Sequence, residues 1–72
     1  MNKDDLIINI GLKIRKIREE KNLSIMDMAD KLDMEYNNVI RIEKGRTNPT
    51  ISTLFKICQA LNVKLVDIVD VE

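Results

Sequence analysis

The sequence contains no histidine and no tryptophan, one cysteine, one proline, two glycines and only two aromatic residues, Tyr36 and Phe55. A single cysteine, Cys58, excludes an internal disulfide, and without histidine the mixed Cys/His zinc patterns cannot form. A lone thiol suits a reducing compartment. With so few aromatics, the core has to be assembled from Ile, Leu, Val and Met. The apolar-rich run Leu6–Leu12 is too short to span a bilayer. It also lacks a signal-peptide context, because Asp4 and Asp5 precede it and the basic stretch Lys13–Arg18 follows it. A cytoplasmic location is therefore expected, and the glycosylation-like triplet Asn22-Leu23-Ser24 reads as chance. An excess of one charge is missing too: twelve Lys and Arg balance twelve Asp and Glu. That excludes the simplest kind of nucleic-acid binder, a strongly basic chain.

What remains is a globular profile, 44% apolar and 33% charged over 72 residues. Residues 1–72 are expected to form a single small domain. A chain of this length has a marginal core, for which helical packing or self-association is the usual remedy. No linker, repeat or low-complexity segment interrupts it.

Turn signals divide the chain into five short helices, an all-α expectation. Leu6, Ile7, Ile10, Ile14 and Ile17 recur mostly three and four apart, which predicts an amphipathic helix ending near Lys21-Asn22. Ser24 is placed to cap a second helix, with Asp27 three residues on and Met28, Ala29 and Leu32 facing inward. A third helix is expected from about Tyr36 to Lys44, anchored by Val39 and Ile42 and stopped by Gly45, with Glu35 as its cap. The loop Arg46-Thr47-Asn48-Pro49 follows. Thr50 caps a fourth helix whose expected buried stripe is Ile51, Leu54, Ile57, Cys58 and Leu61. Asn62 ends it. The last apolar stretch, Leu65–Val69, reads as a fifth helix, with a strand as the rival because of its β-branched residues. Met26, Met28 and Met34 fit gap-filling core roles.

Two short helices joined by a tight turn, after a longer helix, give the helix-turn-helix arrangement, here at about residues 25–44. The first helix of such a pair braces against the DNA backbone and the second enters the major groove. A groove-reading helix needs one face anchored in the core and another rich in hydrogen-bonding groups. The segment 36–44 meets that demand, leaving Tyr36, Asn37, Asn38 and Arg41 on or near its outer face. Asn can pair bidentately with adenine and Arg with guanine. The bland alternative for these residues is plain solvated helix surface, and Tyr36 could simply cover the helix start.

The run LSIMDMADKLDMEYNNVIRIEKGRTNPTISTLFKICQALNV resembles the Xre-type helix-turn-helix domain of Cro and the lambdoid phage repressors. The resemblance extends from about Ile10 to Ile68. Its most specific part is RIEKGRTNPT followed by LFKICQALNV, which is similar to the family's Ile-Glu-x-Gly, then Pro, then Leu-x-x-Ile-x-x-Ala-Leu. The resemblance implies a lambda repressor-like fold and base contacts from Tyr36, Asn37, Asn38 and Arg41. It implies phosphate contacts from Lys44, Arg46, Thr47 and Asn48, and a structural ion pair between Arg18 and Glu43. It also implies a transcriptional regulator acting as a homodimer on a pseudo-palindromic duplex site, which the small size of the chain favours too; the expected dimer surface is helix five and its neighbours, around Leu65, Val66 and Val69. Two positions depart from the family. Ile25 stands where Gln often follows the Ser cap, touching phosphate and bracing the recognition helix, and Asp33 stands where the turn usually has Gly.

No metal, cofactor or small-molecule ligand is implied. Cys58 has no catalytic companions, so an enzyme is not expected. The rival function is a protein-interaction module on the same fold, such as an antitoxin, which the neutral charge, Ile25 and the apolar tail Val63–Val71 would suit.

Neutrality is itself a sum over segregated blocks. Residues 10–18 carry Lys13, Arg15, Lys16 and Arg18 with no acid, residues 19–40 hold six acids against two bases, and residues 41–64 hold five bases against Glu43 alone. The third block spans the end of the expected recognition helix and the loop after it.

Overall fold

The computed structural model describes residues 1–71 and is all-helical, with five helices: α1 Lys3–Glu20, α2 Ile25–Leu32, α3 Tyr36–Glu43, α4 Ile51–Leu61 and α5 Leu65–Val69. The long first helix packs on α3 and α5, α2 packs on α3 and α4, and α4 closes on α5. Their shared interior is Ile14, Ile17, Met28, Ala29, Leu32, Val39, Ile42, Leu54, Ile57, Cys58, Leu61 and Ile68. Neither aromatic residue belongs to it.

Local chemistry sets the helix ends. Asn2 caps α1 by accepting from the Asp5 N–H at 2.8 Å, so the helix begins earlier than the apolar periodicity alone indicates. Ser24 and Asp27 form a reciprocal capping box: the Asp27 N–H donates to Ser24 Oγ and the Ser24 N–H to Asp27 Oδ2, both at 2.9 Å. Thr50 accepts from the Thr53 N–H at 3.1 Å and starts α4. Glu35 occupies the capping position of α3 but makes no side-chain cap bond.

The first four helices end alike. Asn22, Asp33, Gly45 and Asn62 all have left-handed backbones, and the residue after each donates its N–H five residues back, to Arg18, Ala29, Arg41 and Cys58. This is the Schellman closure, which satisfies carbonyls that the helix leaves unpaired. Asp33, at φ 51°, supplies the turn in place of glycine.

Two sequence expectations need correction. Ile51 is not part of the α4 stripe and is 70% exposed. As the first helical residue of α4 it lies on the rim of an open groove beside Phe55 and Leu65 rather than in the core. Met26 is 61% exposed, because two positions from the buried Met28 is about 200° around the helix. Val69 packs against the core, leaving Leu65 and Val66 exposed on α5. The strand reading of the last segment gives way to helix.

Candidate nucleic-acid interface

The third helix is held by what lies behind it. Val39, Ile42 and Glu43 are buried on its inner side. The Arg18 guanidinium, also buried, donates from Nε to Glu43 Oε2 at 2.7 Å and from Nη2 to Oε1 at 3.1 Å. Its Nη1 donates to the Leu23 carbonyl at 2.8 Å. One side chain of α1 thus fixes both the end of α3 and the chain entering α2. The bonds to Glu43 raise the Arg18 pKa further, outweighing the opposing effect of burial.

Backbone meets backbone at the same junction. A Cβ on Gly11 would lie 2.5 Å from the Ile42 carbonyl oxygen and 2.6 Å from that of Glu43. Gly45, at φ +69°, similarly lies against the Cα of Ile8. The C-terminal end of α3 and the start of the following loop therefore sit directly on the surface of α1.

The opposite side of α3 is free. Tyr36, Asn37, Asn38 and Arg41 are exposed, and none of their side chains takes part in a hydrogen bond or ion pair among the described residues. Beyond the helix, Lys44, Arg46 and Asn48 are exposed and Thr47 is half-buried. Since Glu43 is consumed by Arg18, the positive charges of Arg41, Lys44 and Arg46 have no ion-pair partner among the described residues.

Asn38, Arg41, Thr47 and Asn48 line one shallow groove between α3, the loop and the start of α4. Thr50 and Thr53 complete its wall, their hydroxyls 3.1 Å apart. The sequence marks Thr50 as a cap, but nothing local shows that the pair borders the groove. Tyr36 is separate from this group: it shares a concavity with Arg18, Ser24, Ile25 and Met26.

The family model for the helix-turn-helix matches residues 14–68, most of the described chain. The chain belongs to the helix-turn-helix family. It is an Xre/Cro-like member of this family of DNA-binding transcriptional regulators. A helix-turn-helix transcriptional regulator of Methanocaldococcus jannaschii is 38% identical over 56 residues, 78% of this chain and 85% of that protein. The immunity repressor protein of Bacillus phage phi105 is 32% identical over 65 residues, 90% of this chain, which spans 45% of the repressor's length. Among solved structures, the restriction-modification controller protein C.AhdI from Aeromonas hydrophila superposes with a TM-score of 0.83 at 25% identity, covering 89% of this chain and 96% of that one.

Away from α3, this helix-turn-helix protein has a second conspicuous surface. Ile51 and Phe55, one turn apart on α4, join Leu65 on α5 around a groove floored by the buried Cys58. Phe55 is 60% exposed. Burial raises the Cys58 pKa, and Asp67 adds to the effect, so the thiol is kept in its unreactive form. Among the described residues no cluster of side chains suits a metal ion, and no helix is long and apolar enough to cross a membrane.

Proposed function

We propose that the chain is a sequence-specific double-stranded DNA-binding transcriptional regulator that works in the cytoplasm as a homodimer on a pseudo-palindromic site. The observation that carries this reading is the division of α3. One side is anchored by Val39, Ile42 and Glu43, while Tyr36, Asn37, Asn38 and Arg41 are uncommitted on the other. Asn37, Asn38 and Arg41 are side chains able to pair with base edges. Lys44 and Arg46, whose charges have no ion-pair partner among the described residues, support phosphate contact beside a helix seated in the groove, together with Thr47 and Asn48.

One α3 reads too few base pairs for useful specificity, which favours two copies on adjacent half-sites. The Cα extents of 31 × 22 × 21 Å are below the spacing of about 34 Å between successive turns of the same groove face. Two copies are therefore small enough to sit side by side on adjacent half-sites. The exposed Ile51, Phe55 and Leu65 around one groove offer an apolar face for contact between two copies.

Selection from random duplex DNA at fixed salt tests the proposal. The expected outcome is an enriched palindrome whose half-site centres lie one helical turn apart. Recovery of no preferred sequence would overturn it. Sedimentation equilibrium of Phe55→Ser tests the dimer face: the variant should dissociate at concentrations where the unaltered chain is dimeric.

A further inference from the structure

The second half of α1 and the short α5 border an open groove of about 560 Å³. Lys13, Lys16 and Lys21 line it from the α1 side with Glu20 among them, and Asp67 and Asp70 line it from the α5 side. Val66, also in the lining, is 56% exposed. None of these charged groups takes part in an ion pair among the described residues. Asp67 accepts from the Lys64 N–H at 2.8 Å, which fixes its carboxylate at the start of α5. The groove carries no net charge, since three lysines stand against Glu20, Asp67 and Asp70. It also turns its back on α3: Lys16 and Glu20 each lie two positions from Arg18, about 200° around the helix from the side chain that grips Glu43.

We propose that this groove is a docking surface for a second copy of this chain, packed about a two-fold axis so that the lysines of each copy meet the aspartates of the other around paired Val66 side chains. A patch with opposite charges on its two walls is complementary to itself after a two-fold rotation, which is what an isologous contact requires. A nucleic acid or an anionic membrane needs a net positive surface, and the three carboxylates remove it. Docking would give partners to charges that the single chain leaves without them, with an apolar side chain at the centre and a charged rim. The contact goes beyond the proposed homodimer, because it uses these charges and Val66 rather than the apolar face of Ile51, Phe55 and Leu65. It leaves α3 of both copies uncovered.

The test is sedimentation velocity of the full chain at low ionic strength, carried out in Phe55→Ser so that the apolar face does not contribute. This chain should self-associate as its concentration rises, and added salt should weaken the association. Lys16→Glu or Asp70→Lys, each added to that background, places like charges opposite one another twice per pair and should weaken association about fivefold to tenfold. Mixing the two variants restores opposite charges at both places, and association should return to within about twofold of the starting level. Both positions are exposed, and recovery in the mixture itself shows that both chains are folded. A mixture no better than its components overturns the proposal. So does a starting chain that stays monomeric, or an association indifferent to salt and to both reversals, which would lie on another surface. No DNA is present, so these outcomes are independent of the DNA reading.

Discussion

The Arg18 guanidinium grips the Glu43 carboxylate through two hydrogen bonds across 25 residues of sequence, and both side chains are buried. The pair therefore orients α3 relative to α1 as well as neutralising its own charges. Bringing two charges out of water has a cost that their attraction only partly offsets. The value of such a pair lies in its geometry, since the two parallel N–H to oxygen contacts fix direction as well as distance.

Breaking one side of this pair should be far worse than removing both. Arg18→Met or Glu43→Leu alone is expected to cost about 3–5 kcal/mol, because the remaining charge stays buried without its partner. The double substitution should recover most of that loss. Urea denaturation at neutral pH measures all three, and a double variant no more stable than the singles would show that the pair itself is strongly stabilising.

Gly11→Ala sets two effects against each other. Alanine in a helix interior is favoured over glycine by about 1 kcal/mol. Here the added Cβ would meet two backbone carbonyl oxygens of α3 at 2.5 and 2.6 Å, which no side-chain rotation relieves. The expected net result is a loss of about 1–3 kcal/mol, together with weaker DNA binding as the end of α3 is pushed outward. A gain in thermal stability would disprove the close approach.

The capping box predicts a specific response to acid. Ser24 lowers the folded-state pKa of Asp27, so the box contributes stability above the unfolded-state value and loses it as pH falls through the lower folded value. The stability difference between the unaltered chain and Asp27→Ala should be constant near neutrality and shrink below about pH 4. Thermal unfolding of both proteins from pH 7 to pH 2 follows it, and a difference that grew on acidification would contradict the assignment.

Arg41 and Arg46 should separate base reading from phosphate contact. Arg41→Ala is expected to cost about 1–3 kcal/mol on the selected site and to relax preference at one position. Arg46→Ala should weaken every sequence alike and reduce the logarithmic salt slope by about one unit. Undiminished preference in the first variant would remove Arg41 from the reading face. A change of preference with an unchanged slope in the second would make Arg46 a base reader.

Much of the fold was legible because its helix ends are written in local chemistry. Ser24 with Asp27, Thr50, Gly45, Asn22 and Asn62 act within a turn of their own positions, and each stands where the chain enters or leaves a helix. The inward residues of α3 were equally readable, since a helix of eight residues has little choice of face. Ile51 and Met26 were misplaced for a different reason. Periodicity gives the direction of a side chain but not whether a neighbouring helix is there to cover it. The closeness of α1 to α3 was hidden as well, because a glycine within a helix carries no sign of the backbone that approaches it. Which outward residues gather in the groove with Thr50 and Thr53, and which share the concavity beside Ile25 and Met26, depends on contacts between elements far apart in sequence.

The separation of duties on α3 bears on how such a protein changes over time. Val39, Ile42, Glu43 and the bare backbone at Gly11 hold the helix, while Asn37, Asn38 and Arg41 have no part in holding it. Substitutions at those outward positions leave the scaffold intact, so under the proposed function the preferred operator can drift or be redesigned without first acquiring compensating core mutations. A gene duplicate of this chain would need only a few outward changes to recognise a new site, and it would inherit the whole supporting architecture unchanged.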